Sequence, residues 1–200
     1  EFRRVLFRSK RILSCGDHLF EAGEDAESMY IVLTGRVAIA IANELDKRES
    51  MVALMEAGDL FGEMGLLDSG PRSAMARAIE PSEVLEIPYD PVEKLLDNDP
   101  RVLRGVVRML AERLRVMDGA LADSVFLDVT GRTAKRLLEL AGAADEFVLP
   151  VTQEELAGMV GASRERVNKA ISSFIRLGWI EQHERRYKIL MRDRLELRAR

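Results

Sequence analysis

The sequence predicts an α+β protein in three parts: an N-terminal β-roll of the jelly-roll kind, one long helix, and a C-terminal winged helix-turn-helix. Three observations carry this reading. Residues 18–88 are short apolar runs separated by Gly-bearing turns. Residues 103–121 hold apolar positions at heptad spacing, and residues 152–190 hold two capped helical segments followed by a polar-tipped β pair.

The totals are compatible with that organisation. The chain has 200 residues, 47% of them apolar, enough for one large or two small cores. It holds no run of eighteen apolar residues, so no membrane-spanning helix is expected. Cys15 stands alone, which excludes a disulfide framework and a Cys-rich metal or iron–sulfur site and fits a cytoplasmic location. Charge is uneven along the chain. Residues 10–128 carry 13 Lys and Arg against 23 Asp and Glu, whereas residues 129–200 carry 14 against 10. A basic module behind an acidic one raises the question of nucleic acid, although +4 is also an ordinary value.

Taken in order, "EFRRVLFRS" at residues 1–9 matches what one reading frame of a common sequencing adapter encodes. Native protein is expected from about Lys10. The roll, residues 10–99, is read from "HLFEAGE", "MYIVLTG", "RVAIAIA", "MVALMEAGD", "SAMARAIE" and "EVLEIP", with Gly23, Gly35, Gly58 and Gly70 at turns. "NELDKRES", residues 43–50, reads as a polar hairpin tip. "GEMGLLDSGPRSA", from Gly62 to Ala74, sets an acid and an Arg in one loop, which either holds a small phosphorylated ligand or only shapes a turn.

A short helix over Pro91–Asp97 leads to the long helix, residues 100–126. There Leu103, Val107, Leu110, Leu114, Met117 and Leu121 are spaced 4-3-4-3-4, an a/d seam. The stripe packs either on the roll or, as the strict 3.5 period favours, on a second copy of the helix. A further helix begins near Asp128 or Thr130 and opens the last module, residues 127–200.

In that module Thr152 and Glu155 form a capping box, Gly161 suits a left-handed stop, and Ser163 suits the next N-cap. Leu156, Ala157, Val160, Val167, Ile171 and Phe174 let the two helices pack across a tight turn. The second helix leaves Arg164, Glu165, Asn168, Lys169 and Ser172 on its outer face, residue types that pair with base edges. A solvated helix surface has much the same composition, and "GWIEQHERRYKIL" tips the balance by resembling a wing, with Arg185 and Arg186 at its tip for phosphates.

Residues 10–200 resemble the cyclic-AMP receptor protein and Fnr family of bacterial transcription regulators. The likeness rests on "GDLFGEMGLLDSGPRSA" as a phosphate-binding cassette, "FLDVTGR" as a hinge and "VGASRERVNKA" as a recognition helix, in family order and spacing. It implies a cyclic nucleotide held between the roll and a dimer helix. Gly62 and Glu63 would meet the ribose, Arg72 and Ser73 the cyclic phosphate, and Arg113 the cassette glutamate. Two hydroxyl residues that meet adenine in the cyclic-AMP receptor protein are replaced by Met117 and Asp118. Cyclic AMP is the effector the family implies, and Asp118 as an acceptor also admits cyclic GMP. Arg164 and Glu165 match the family's base readers, and Lys169 replaces a third, usually Arg. The resemblance therefore implies a homodimer on palindromic double-stranded DNA with TGTGA-like half-sites, and no resident cofactor or metal. The loop that touches RNA polymerase in one member is shortened to "AGAADEFVLP", which leaves activation and repression both open.

Two other classes fit less of the pattern. A ligand-independent regulator of the same family would use Met117 to complete an apolar seam. A cupin-like metal enzyme would need several ligands, whereas the chain has only His18 at a strand end and His183 in the wing.

Overall fold

The computed structural model describes residues 9–42 and 49–200. The chain forms two compact units, Glu1–Glu112 and Arg113–Arg200.

The first unit is a roll of two four-stranded antiparallel sheets. One has the order β1 (Ser9–Leu13), β8 (Ser82–Pro88), β3 (Ser28–Thr34), β6 (Leu60–Phe61). The other has the order β2 (His18–Phe20), β7 (Met75–Ala78), β4 (Val37–Ala42), β5 (Glu49–Met55). Alternation along the strands sorts the side chains. Tyr30 and Val32 of β3 and Val84 of β8 point into the roll with Phe20, Val37, Phe61, Ala76 and Ala78. Met29 and Ile87 point outward and are covered by Tyr89 and Val92 of α2 (Tyr89–Asn98).

The strands read from the sequence are present as β2, β3, β4, β5, β7 and β8. Residues 1–8 of the adapter-like segment, and residues 43–48 of the expected hairpin tip, lie outside the described residues. Ser9, grouped with the adapter, is the first residue of β1, and its hydroxyl donates to Glu86 Oε2 at 2.9 Å.

Helix α3 runs unbroken from Pro100 to Phe126. In the second unit α4 (Val129–Ala141) starts at an N-cap, Asp128, whose carboxylate accepts from Gly131 N. Helix α5 (Gln153–Val160) opens on the expected capping box: Glu155 N donates to Thr152 Oγ1 at 3.2 Å and Thr152 N to Glu155 Oε2 at 2.7 Å. Gly161 ends it at φ 67°, ψ 45°, left-handed backbone that suits glycine. Helix α6 (Arg164–Arg176) follows from its Ser163 cap. Leu156, Ala157, Val160, Val167, Ile171 and Phe174 are all buried between these helices, as their spacing requires. Arg132 of α4 locks the turn, donating from Nε to Val160 O at 2.9 Å and from Nη1 to Leu127 O at 2.8 Å.

The wing is β10 (Ile180–His183) and β11 (Arg186–Ile189), extended by β9 (Glu146–Val148) into a three-stranded sheet. A last helix, α7 (Arg192–Arg198), packs on α4 and buries Leu195.

Candidate functional site

The loop from Gly62 to Ala74 folds around one side chain, Arg72, which is only 7% exposed. Its Nη1 donates to Gly62 O at 3.0 Å and to the Tyr89 hydroxyl at 3.2 Å, and its Nη2 donates to Ser28 O at 2.7 Å. The guanidinium carbon lies 4.1 Å from the centre of the Phe20 ring, a cation–π contact. Backbone bonds brace the same segment: Arg72 N donates to Glu24 O and Gly23 N to Arg72 O, both at 2.8 Å. Gly62 has φ 77°, and a Cβ there would stand 2.9 Å from Arg72 Nη1, so this position demands glycine on two grounds.

Tyr89 completes the bracket by donating its own proton to Gly62 O. Burial pushes the Tyr89 hydroxyl above its ordinary pKa, against a smaller lowering by Arg72, so it stays protonated and able to donate.

Arg72 still has capacity. A guanidinium carries five N–H groups, and three hydrogen bonds use three of them. The buried Nε has no partner. An N–H shielded from water with no acceptor is costly, so this donor calls for an acceptor from outside the chain.

The other cassette residues differ in posture. Glu63 is buried just before the short helix α1 (Met64–Asp68) and lies on the wall of an apolar cavity of about 740 Å³. That cavity, lined also by Leu66, Val92, Val102, Gly105 and Met109, does not include Arg72 or Ser73. The Ser73 hydroxyl is exposed and donates to Met64 Sδ at 3.3 Å. Gly62 and Arg72 are thus in direct contact, whereas Ser73 is turned toward Met64.

On α3 the six seam positions are all exposed in the single chain, Leu114 at 58% and Met117 at 67%. Asp118 is exposed beside them and Arg113 half-buried. A 27-residue helix with no buried residue is a helix with an unpartnered apolar face.

In the second unit the outer face of α6 carries Arg164, Glu165, Lys169 and Ser172 exposed and Asn168 half-buried, opposite the buried Val167, Ala170, Ile171 and Phe174. A polar cavity of about 450 Å³ joins this face to the start of α4. Arg166, Lys169, Ser173 and Arg176 line it from α6, and Asp128, Val129 and Thr130 from α4. Among the described residues, the side chains of Arg166, Lys169 and Arg176 make no hydrogen bond or ion pair. Arg166 and Arg176 are absent from the sequence-based site, yet the spacing 166, 169, 173, 176 is a helical stripe visible in the sequence.

The wing arginines, expected at phosphates, also have partners within the protein. Arg185 Nη2 donates to Leu149 O at 3.0 Å, and Arg186 pairs with Glu146 at 3.0 Å. Both expected phosphate contacts therefore have intramolecular partners, supplied by β9 and the loop after it.

A loop braced around a buried Arg in a β-roll, a long helix with an open apolar face, and a winged helix with unpaired cations define a ligand-binding, DNA-binding regulator. Residues 10–99 match the family model of the cyclic nucleotide-binding domain, and residues 131–200 that of the Crp-like helix-turn-helix domain. The chain belongs to the Crp/Fnr family of cyclic nucleotide-binding transcription regulators.

The CRP-like cAMP-activated global transcriptional regulator of Mycobacterium tuberculosis is 38% identical over 192 residues, covering 92% of this chain and 85% of that protein. The cAMP-activated global transcriptional regulator CRP of Pasteurella multocida is 37% identical over 160 residues, 76% of each. Among solved structures, FixK2 from Bradyrhizobium japonicum superposes with a TM-score of 0.86 at 26% identity, covering 98% of each chain. The c-di-GMP responsive global regulator CLP of Xanthomonas campestris gives 0.79 at 28% identity, covering 91% and 93%.

Proposed function

We propose that this regulator is a homodimer controlled by cyclic AMP, which it anchors through Arg72. The observation that carries the reading is the unpartnered, buried Nε of Arg72 in a cassette that holds the rest of the guanidinium rigid. A singly charged cyclic phosphate offers acceptors to Nε–H and to the unused Nη2–H, and charge-assisted bonds of this kind are about twice as strong as neutral ones. Gly62 and Glu63 take the ribose side, Ser73 turns from Met64 to the phosphate, and Arg113, Met117 and Asp118 of α3 face the nucleotide. Cyclic AMP is preferred because relatives at 36–38% identity carry it in their names, while CLP, at 28%, is named for c-di-GMP.

The seam from Leu103 to Leu121 joins two copies of α3. The two α6 helices then read half-sites about one helical turn apart, with Arg164, Glu165, Asn168 and Lys169 on base edges and a TGTGA-like half-site. Nucleotide shifts a pre-existing equilibrium of the dimer toward the DNA-competent arrangement.

The test is calorimetric titration with cyclic AMP, cyclic GMP and c-di-GMP, repeated on Arg72→Ala. Saturable heat with cyclic AMP that vanishes in the variant is the expected result. Heat that survives in Arg72→Ala removes Arg72 as the anchor. A second reading, a ligand-independent regulator, is favoured by the three protein partners that Arg72 already has, and by Met117 in the seam. No heat from any nucleotide, together with DNA binding in their absence, selects it.

A further inference from the structure

Asp128 is an awkward residue in its place. It lines the same polar cavity as Arg166, Lys169 and Arg176, so a carboxylate stands beside the two arginines that a phosphate would meet. It is also the N-cap of α4, where its Oδ1 accepts from Gly131 N at 2.8 Å. That bond fixes the carboxylate near the cavity and prevents it from swinging away.

Arg198, near the end of α7, answers it. Its Nη2 reaches both carboxylate oxygens of Asp128, while Arg198 itself does not line the cavity. The approach is built in. Gly131 leaves room for it, since a Cβ there would stand 3.0 Å from Arg198 O and 3.1 Å from Arg198 Nη1. Burial of Leu195 seats the helix that carries Arg198.

We propose that Arg198 is a positioning residue for DNA binding: it holds and neutralises the Asp128 carboxylate, leaving Arg166 and Arg176 to a backbone phosphate. This rests on the reading of α6 as the DNA-facing helix. With Arg198 removed, Asp128 either pairs with Arg166 or Arg176 or repels the phosphate, and both weaken the same contact. Because a phosphate carries no base identity, the effect falls equally on specific and unrelated duplexes.

The test is fluorescence anisotropy at low salt, with cyclic AMP present. It uses a labelled duplex carrying two TGTGA half-sites and an unrelated duplex of equal length. Arg198→Ala should bind both about threefold to fivefold more weakly, the scale of one screened charge at short range. Arg198→Ala combined with Asp128→Asn should return to the wild-type affinity, because Asn caps a helix as well as Asp does but carries no charge. A merely structural loss would not be repaired by that second change.

A double variant as weak as Arg198→Ala overturns the proposal, as does an Arg198→Ala protein that binds like wild type. A drop of about 0.9 in the salt slope that Asp128→Asn does not reverse would instead make Arg198 itself a phosphate contact, and also overturns it. Wild-type protein that binds neither duplex removes the DNA-facing reading of α6, and this inference with it.

Discussion

Arg72 is asked to support the fold as well as to bind, and its replacement tests both roles at once. In Arg72→Ala, Ser28 O loses its 2.7 Å charged donor, while Gly62 O keeps the Tyr89 hydroxyl. An unsatisfied buried acceptor costs about 1–3 kcal/mol. The lost contact with Phe20, at 4.1 Å, adds about 1–2 kcal/mol in a desolvated site. Relief of the orphaned Nε–H offsets part of this, so a net loss of about 3 kcal/mol is expected. At about 2–4 °C per kcal/mol for a chain of this size, the nucleotide-free variant should melt about 6–12 °C below wild type. Arg72→Lys keeps the charge but cannot span three acceptors, and should fall between the two. Thermal unfolding followed by circular dichroism, with and without cyclic AMP, is the assay. Nucleotide should raise the melting temperature of wild type and leave that of Arg72→Ala unchanged. A nucleotide-free Arg72→Ala that melts with wild type would refute the bracing of Arg72 by Ser28 and Gly62.

Three further outcomes are expected. Leu114→Asp loses apolar burial from both copies of the seam, about 3–6 kcal/mol per dimer, and should convert a dimer to a monomer in sedimentation equilibrium. A variant that stays dimeric removes the seam as the interface. Gly105 is mid-helix, and a Cβ added there would meet nothing within 4 Å, so Gly105→Ala should raise stability to denaturant by about 0.8–1 kcal/mol. In acid, Asp99 and Asp128 act together. The side-chain hydrogen bond from Arg101 holds Asp99 down to about 2, and the backbone N–H of Gly131, with a smaller contribution from Arg198, lowers Asp128. Carboxyls lowered in the folded state stabilise it above their ordinary pKa of about 4 and stop doing so as pH falls through the folded value. Stability should therefore decline from about pH 4 downward, and less steeply in Asp99→Asn with Asp128→Asn; equal slopes would contradict the assignment.

The helix-turn-helix was legible in the sequence because its signals are local. A capping box, a left-handed glycine and a Ser cap act over three or four residues, and each bond formed where its residues predicted it. The longer strands were legible for a related reason, since alternate residues of β3 and β8 face the roll interior and the others pack under α2. β1 was not, because in "SKRIL" only Leu13 is buried and the strand exists by pairing along β8. α7 escaped as well. "RDRLELR" has five charged residues of seven and Leu195 as its one buried residue, so no apolar period announces it.

The site divides along the same line. The family resemblance implies Gly62, Glu63, Arg72 and Ser73 as a cassette, whereas residue types and spacing identify the outward face of α6. They do not show that Arg72 leans on Ser28 and Phe20, which lie 44 and 52 positions earlier in the chain, or that Arg185 is drawn to Leu149. Those contacts depend on which strands become neighbours, and strand order in the roll is far from sequence order. The consequence is functional. On the proposed reading, a side chain held by three protein acceptors binds a phosphate only with the donors left over, so its affinity would depend on Ser28 O, Tyr89 and Phe20 as much as on the cassette. Changes at Tyr89 and Phe20, whose side chains touch Arg72, should alter nucleotide affinity without touching a residue of the motif, whereas Ser28 lends a main-chain oxygen that its replacement leaves in place.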